Sequence, residues 1–351
     1  MDKFVCVRLV QANAMDLALF QFDYDLTFAA FFMNADRTLY GRFGSRSNQK
    51  DPAKDISMEG FRQALLAALE LHKHYQGNSG LLRGKKGAAP AFDVPEEYPS
   101  LKGKYKSTLD YEGKVARSCI HCHQVREAER LLFRAERKSI PTNSLYPWPM
   151  PDVVGLGFDP KEKAKLASVV KGSPAERGGF RAGDSILTLA GQPMISIADV
   201  QWVLQQNNGP AKLDAEVLRG KKKLRLSLAL ERDWRRQSDI SWRTSSWDLR
   251  RMASGGLVLE DLPDPERSAA KLSSAELGLR VKYVGEYGEH AAGKRAGFRK
   301  DDVIVSVAGH KERMSESDWF GFLLQNKMPG ERIPLTVLRG SERLELEMLM
   351  Q

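Results

Sequence analysis

The sequence holds few cysteines, no long apolar run and no block of like charge. Three cysteines among 351 residues cannot form a disulfide framework, which excludes a disulfide-stapled scaffold. The longest largely apolar run, residues 26–33, is far shorter than the roughly 20 residues that span a bilayer. We therefore predict no transmembrane segment. The 54 basic residues exceed the 45 acidic ones, but the excess is scattered, which favours a solvated basic surface and disfavours a nucleic-acid partner.

The second half of the chain contains an internal repeat. Residues 177–191 (RGGFRAGDSILTLAG) recur as residues 295–309 (RAGFRKDDVIVSVAG). The tetrapeptide VLRG at 217–220 also returns at 337–340. Self-similarity at a fixed period indicates repeated domains. The sequence therefore predicts two copies of one domain, each closing with a β-hairpin.

The predicted elements of each copy are a strand, a short helix, a second strand, a longer helix and the hairpin. The longer helices are expected near residues 197–206 and 317–325. This order resembles the PDZ domain in its bacterial arrangement. The first copy also carries Gly155-Leu156-Gly157-Phe158, the loop that binds a peptide carboxylate in that family. Glycines there let backbone N–H groups converge on an anion, while the strand edge accepts an extended peptide.

The resemblance implies that the PDZ copies bind peptide C-termini or brace an assembly. In the second copy, Leu277-Gly278-Leu279-Arg280 occupies the place that we assign to the carboxylate loop. Its single glycine leaves carboxylate binding and a purely structural role equally open.

A different unit precedes the repeats. We predict a strand at Phe4–Val10, a buried strand at Leu26–Met33 with a hairpin partner at Leu39–Phe43, and a helix over Met58–Tyr75 that Ser57 caps. This order looks like the second half of a thioredoxin-like domain, although the Cys-x-x-Cys helix and the cis-proline of that family are missing. Cys6 is expected to be a buried small hydrophobe on the first strand.

The sharpest local motif is Cys119-Ile120-His121-Cys122-His123, a complete CxxCH. With Ser118 as N-cap and a helix running to Arg137, residues 119, 122 and 123 would share one helix face. That arrangement suits one covalently attached c-type haem, with thioethers at Cys119 and Cys122 and with His123 as proximal iron ligand. Zinc binding and a simple dithiol pair remain alternatives.

Three further features are ambiguous. Met150, in the proline-rich segment YPWPMP, could be a sixth haem ligand or a linker residue. The tryptophans and arginines of residues 234–252 are expected to form an interdomain brace, with single-stranded nucleic acid stacking as the weaker alternative. The segment Gly77-Asn78-Ser79-Gly80 echoes the nucleophile loop of trypsin-like periplasmic proteases, but too few residues precede it for their double barrel. Proteolysis is therefore disfavoured.

Four longer segments together resemble one bacterial family. They are FDYDLTFAAFFMNADRTLYGRFGSRS, SCIHCHQV, YPWPMPDVVGL and DISWRTSSWDLRRM. They are similar to the thioredoxin-like/PDZ domain proteins, some of which are selenoproteins. Haem attachment at CxxCH normally takes place outside the cytoplasm, so a periplasmic protein is expected. No signal peptide is visible, and we therefore expect that the native chain starts further upstream, with Met1 as an artificial start.

The resulting hypothesis is a multidomain α+β protein with redox or electron-transfer function and an unidentified redox partner. The alternative is a non-enzymatic PDZ scaffold that binds peptides and whose CxxCH is a zinc or dithiol site. No catalytic residue is assigned. The predicted domains are a partial thioredoxin-like unit, a linker with a helical CxxCH segment, a first PDZ domain, and a connector with a second PDZ domain, at residues 1–80, 81–150, 151–233 and 234–351.

Overall fold

The computed structural model describes residues 3–351, apart from the side chain of Asn78. The chain divides into two compact units. The first comprises the chain up to Ala128 together with Tyr146–Ser238, and the second comprises Glu129–Leu145 and Asp239–Gln351. Each unit contains one of the two repeats. Within the described part of the chain, no helix is both long and apolar enough to cross a membrane.

The N-terminal part of the first unit is a β-hairpin packed against a helix. Strand β1 (Ala30–Met33) pairs antiparallel with β2 (Leu39–Phe43), and helix α1 (Met58–Lys73) and helix α2 (Tyr75–Leu82) follow. The Ser57 hydroxyl accepts the N–H of Gly60 at 3.0 Å, so the predicted N-cap is confirmed. Ala64 and Ala68 of α1 pack with aromatic residues of the hairpin in one small core.

The predicted strand at Phe4–Val10 does not form. This segment has no regular secondary structure, and the side chains of Val5 and Val7 are 96% and 79% exposed. Cys6 is likewise exposed instead of buried. Alternating hydrophobicity suggested a strand, but a strand needs a neighbour to satisfy its backbone groups, and none of the described strands pairs with this segment. A two-stranded hairpin with one packed helix is thus what the described residues show in place of a thioredoxin-like unit.

The segment between the hairpin and the first repeat contains short helices. They are α3 (Val115–Ser118), α4 (Cys122–Ala135) and α5 (Thr142–Leu145). Helix α4 begins three residues later than the CxxCH motif suggested. The main chain of Ile120 is the reason: its N–H donates to Asn13 Oδ1 at 2.8 Å, and its carbonyl accepts the N–H of Ala12 at 2.9 Å. Both backbone groups therefore have partners outside the helix.

The first repeat packs a helix against two small sheets. Its sheets pair β3 with β4 and follow the order β6-β5-β7-β8 among the described strands. Its core contains Leu156, Ile186, Val200, Leu204 and Val217. The elements are β3 (Leu156–Phe158), β4 (Leu166–Val169), α6 (Pro174–Arg177), β5 (Ser185–Leu189), β6 (Gln192–Pro193), α7 (Ile197–Gln205), β7 (Ala211–Arg219) and β8 (Lys222–Leu230).

The second repeat follows the same plan with one addition. Its described strands form a sheet in the order β13-β12-β11-β10-β9, and an extra helix α9 separates its first two strands. The elements are α8 (Ser246–Ser254), β9 (Leu257–Asp261), α9 (Asp264–Ala269), β10 (Leu279–Val284), α10 (Ala292–Arg295), β11 (Val303–Val307), α11 (Glu316–Asn326), β12 (Arg332–Arg339) and β13 (Glu342–Leu349).

An ion pair between an arginine and a buried aspartate occurs at the same place in both repeats. The Arg219 guanidinium donates to both oxygens of Asp184 at 2.7 and 2.8 Å, and the Arg339 guanidinium donates to both oxygens of Asp302 at 2.8 and 2.8 Å. Each arginine also donates to the carbonyl of a turn glycine, Gly179 or Gly297. The two sequence repeats therefore share equivalent side-chain contacts as well as equivalent backbone elements.

Candidate peptide-binding groove

The open edge of β3 is the most distinctive feature of the first repeat. Strand β3 pairs with β4 on one side and with no described strand on the other. The N–H of Asp159 donates to the Lys165 carbonyl at 2.9 Å, so Asp159 faces the β4 side. Since backbone groups alternate along a strand, Leu156, Phe158 and Pro160 direct their N–H or C=O groups toward the open edge. This edge can accept a further strand in antiparallel or parallel pairing.

The predicted carboxylate loop lies at the beginning of that edge. Gly155 ends a 3₁₀ helix (Pro151–Val154) and has φ of +87°, a conformation that favours glycine. A Cβ on Gly157 would lie 2.2 Å from the Ser168 hydroxyl oxygen. Leu156 is 1% exposed and anchors the loop in the core, while Gly157 and Phe158 are half-buried. The structure thus places all four predicted residues at the open strand edge.

Helix α7 lies alongside this edge. Ile197 and Ala198 at its N-terminal end border a small gap together with Pro160. Gln201 Nε2 donates to the Trp148 carbonyl at 2.6 Å. Gln205 Oε1 in turn accepts the Trp148 N–H at 2.7 Å. We call the space between β3 and α7 the β3–α7 groove.

The second repeat closes the corresponding edge with its own helix. Strand β9, which pairs with β10 as β3 pairs with β4, follows Gly255 and Gly256. Glu316 at the start of α11 accepts the N–H of Leu259 at 2.8 Å and is paired with the Arg250 guanidinium. Burial raises the pKa of Glu316, and the bonds to Arg250 offset part of that effect. Glu316 is the first residue of α11, and the first residue of α7 in the first repeat is Ile197.

Leu277-Gly278-Leu279-Arg280 does not lie at the place of the carboxylate loop, so of the two roles left open for this segment the structural one is favoured. These residues lead into and form part of β10, the counterpart of β4, and Leu277 and Leu279 are fully buried. Helix α9 is inserted between β9 and β10, so the true counterpart lies further upstream than the spacing of the first repeat suggests. The counterpart of the Gly155 loop is the pair Gly255 and Gly256 before β9.

The CxxCH residues do not share one helix face. Cys119 is extended, with φ of −83° and ψ of 125°, whereas Cys122 and His123 lie in the first turn of α4. Both thiols are free and half-buried, and burial raises the pKa of Cys122. The arrangement therefore lacks the geometry on which the haem hypothesis depended.

The two residues predicted as iron ligands, His123 and Met150, have other structural roles. His123 Nδ1 lies 2.9 Å from Glu127 Oε1, and this hydrogen bond raises the pKa of His123. Met150 is the N-terminal flank of the 3₁₀ helix that leads into the first repeat. Across residues 3–351, no group of three or more His, Cys, Asp or Glu side chains is placed to hold a metal ion.

Two site features were missed in the sequence. The main-chain carbonyl and N–H of Trp148 are bonded by Gln201 and Gln205, which lie one turn apart on α7, and local hydrophobicity does not reveal this pattern. The Trp234–Arg235 pair, which we expected to belong to an interdomain brace, lies within the first unit. Trp234 joins the core of the first repeat, and the buried Arg235 guanidinium donates to the carbonyls of Tyr146 and Leu204. Burial lowers the pKa of Arg235 to about 10.

The segment at residues 77–80 that resembles a protease nucleophile loop does not form a loop, because it lies in helix α2. Ser79 lies inside helix α2, where its hydroxyl donates to the Gln76 carbonyl at 3.3 Å. A serine held within a helix in this way is not on the sharp loop that presents a nucleophile.

Comparison with known proteins identifies a PDZ domain in the first repeat. Residues 166–219 match the family described as PDZ domain. The chain is 27% identical over 184 residues to the "Probable periplasmic serine endoprotease DegP-like" of Marinomonas sp. (strain MWYL1), covering 52% of this chain and 36% of that protein. It is also 27% identical to the periplasmic pH-dependent serine endoprotease DegQ of Escherichia coli (strain K12), covering 55% of this chain and 38% of that protein. The chain thus spans little more than a third of the length of these relatives.

Solved structures with local similarity include two of the HtrA type. One is the HtrA3 PDZ domain bound to a phage-derived ligand (FGRWV), at 30% identity and a TM-score of 0.18, covering 20% of this chain and 64% of that chain. The other is the HtrA-type protease AlgW with decapeptide, at 13% identity and a TM-score of 0.25, covering 41% of this chain and 50% of that chain.

These findings correct the predicted function. The relatives are periplasmic serine endoproteases, so the hypothesis of a haem-bearing redox protein is wrong, and the non-enzymatic scaffold is not favoured either. The resemblance to a thioredoxin-like CxxCH family also finds no support among the relatives. The prediction of a PDZ domain is confirmed for the first repeat.

Proposed function

We propose that the first PDZ domain binds polypeptide C-termini in the β3–α7 groove and that it does so in periplasmic proteolysis. The observation that carries the proposal is the open edge of β3, which begins at the Gly155–Phe158 loop. A peptide added there would pair with the outward backbone groups of Leu156 and Phe158. Its terminal carboxylate would lie at the glycine loop, where N–H groups can converge on an anion.

The contrast between the two repeats supports the choice of the first one. In the second repeat, the Leu259 N–H is already bonded to the Glu316 carboxylate. The first residue of α7, the position that Glu316 holds in α11, is Ile197, whose aliphatic side chain offers no acceptor to a strand N–H. The periplasmic setting and the link to proteolysis are supported by the similarity to the periplasmic serine endoproteases DegP-like and DegQ.

A peptide array with free and amidated C-termini tests this function. The array carries pentapeptides, with FGRWV among them, each synthesised with a free carboxylate and as an amide. We expect binding of free-carboxylate peptides only, because the amide removes the charge that the loop recognises. Gly157→Glu should abolish binding, since it adds a carboxylate and a side chain at the loop.

Gly209→Glu is the matched control for that variant. Gly209 lies in the same domain, and a Cβ added there meets nothing within 4 Å. Equal binding by the Gly157→Glu and Gly209→Glu variants, or equal binding of free and amidated peptides, would contradict the proposed site.

A further inference from the structure

We propose that the loop Gly44–Gly60, here called the groove cover, closes the β3–α7 groove and must move away before a peptide can bind. The inference rests on the proposed function, because it describes how that same site is regulated. The groove cover connects β2 to the first turn of α1 and belongs to the same compact unit as the first PDZ domain.

The groove cover occupies the last outward backbone group of the β3 edge. The Ser57 hydroxyl donates to the Pro160 carbonyl at 2.8 Å. Gly60 approaches the same carbonyl so closely that a Cβ on Gly60 would lie 2.2 Å from its oxygen. A peptide strand running along β3 would continue past Pro160, so the groove cover lies in its path.

The groove cover also reaches the opposite wall. Beside Pro160 and the N-terminal end of α7, a gap of about 10 Å³ separates the groove cover from the two walls, no larger than about one water molecule. Gly44, Ser45, Asp55 and Ile56 line the gap from the side of the groove cover, and the walls contribute Pro160, Glu162, Ser196, Ile197 and Ala198. Ile197 is 7% exposed and Gln201 is 1% exposed, so the α7 side of the groove is covered as well. A peptide strand therefore cannot extend past Pro160 in this closed form.

The groove cover has the construction of a segment that can move as one piece. Asp55 accepts hydrogen bonds from both the N–H and the hydroxyl of Ser47 at 2.7 Å, so the loop is held together internally. Residues 49–54 are exposed to solvent. Gly44, with φ of +122°, lies at the junction with β2 and can serve as a hinge. Within the groove cover, Ile56 packs against the small core of the hairpin and α1, and a segment with so few apolar contacts opens at low free energy.

A steric test uses two helical glycines. Gly60→Ala places a methyl group against the Pro160 carbonyl oxygen, a backbone atom that cannot rotate away. Gly77→Ala, in α2, is the matched control, because a Cβ there meets nothing within 4 Å. Both changes replace glycine by a better helix former, so they raise helix propensity alike. Because only the methyl group of Gly60→Ala meets Pro160, only that variant disfavours the closed groove.

A second variant removes the hydrogen bond instead of adding bulk. Ser57→Gly deletes the hydroxyl that donates to Pro160, and glycine is a tolerated N-cap residue. It therefore loosens the groove cover while helix α1 is retained.

The experiment probes the pentapeptide array with the wild-type chain and these variants, and then measures dissociation constants for the tightest free-carboxylate peptide by fluorescence anisotropy. The apparent dissociation constant equals the intrinsic one divided by the open fraction. We therefore expect Gly60→Ala and Ser57→Gly to bind at least about fivefold more tightly than the wild type, and Gly77→Ala to match it.

Two results would overturn the inference in different ways. If Gly60→Ala and Ser57→Gly bind with wild-type affinity while Gly157→Glu abolishes binding, the groove cover does not regulate the site, but peptide recognition stands. If neither the wild type nor any opened variant binds any free-carboxylate peptide, the proposed function fails and the groove cover fails with it.

Discussion

The buried pair Lys85–Asp199 fixes α7 to the N-terminal part of the first unit. Both side chains are fully buried, and Lys85 Nζ lies 3.0 Å from Asp199 Oδ1. Lys85 also donates to the Pro193 carbonyl at 2.5 Å. The Asp199 carboxylate accepts the backbone N–H groups of Arg42 and Ile195 at 3.2 and 3.1 Å. Burial lowers the pKa of Lys85, so the ammonium depends on this carboxylate for its charge.

Removing the two partners should have unequal effects. Asp199→Ala leaves a buried ammonium without its counter-charge and two backbone donors without an acceptor. One-sided disruption of a buried pair costs about 3–5 kcal/mol. Lys85→Met also removes one partner, but Asp199 stays bonded to both backbone N–H groups, which partly compensate its charge, so we expect a smaller loss of about 1–3 kcal/mol.

Thermal unfolding followed by circular dichroism measures the difference. At roughly 2–4 °C per kcal/mol for a unit of this size, Asp199→Ala should lower Tm by about 6–20 °C. In the double variant the losses should be less than additive, because the two side chains are in direct contact. Lys86→Met is the matched control, since Lys86 is exposed and adjacent in sequence. A larger loss from Lys85→Met than from Asp199→Ala, or no difference between either variant and the control, would refute this role of the buried pair.

Two further predictions concern titration and the repeated ion pair. The hydrogen bond to Glu127 raises the pKa of His123, so NMR titration should place it above its ordinary value of 6.5, and Glu127→Gln should lower it. The stability that this pair contributes is complete below pH 6.5 and is lost as the pH rises through the raised pKa. An unchanged pKa of His123 in Glu127→Gln would contradict the contact. Burial raises the pKa of Asp184, but the hydrogen bonds from the Arg219 guanidinium and from the Arg181 N–H together outweigh this and lower it below 3.8. Arg219→Ala should therefore cost about 1–3 kcal/mol at neutral pH and less as the pH falls through that lowered value, whereas a loss that is constant from pH 7 to pH 2 would refute the assignment.

Local sequence patterns were enough to predict the position of several helices and of one strand edge. Ser57 followed by a helical hydrophobic pattern located the start of α1 at Met58, and the repeat located α7 and α11 to within one residue at each end. The glycines at 155 and 157 located the open strand edge. These elements depend on neighbouring residues, which is why the sequence alone could identify them.

Long-range contacts account for what the sequence could not show. Ser57 and Pro160 are separated by 103 positions, and no local pattern connects them. The CxxCH motif suggested a continuous helix, but the bonds that Ala12 and Asn13 make to Ile120 keep the first cysteine outside α4. The inserted helix α9 shifted the true counterpart of the glycine loop in the second repeat. Alternating apolar residues at Phe4–Val10 predicted a strand for which the fold supplies no partner among the described residues.

Hydrogen–deuterium exchange tests the central claim most directly, because it reports on individual backbone N–H groups. The account predicts that a saturating free-carboxylate peptide slows exchange at Leu156 and Phe158 and leaves the edge strand β9 of the second repeat unchanged. At the same time, exchange within residues 49–54 should accelerate as the groove cover is displaced. Protection confined to any other strand edge, or no change in β3 with peptide bound, would contradict the account.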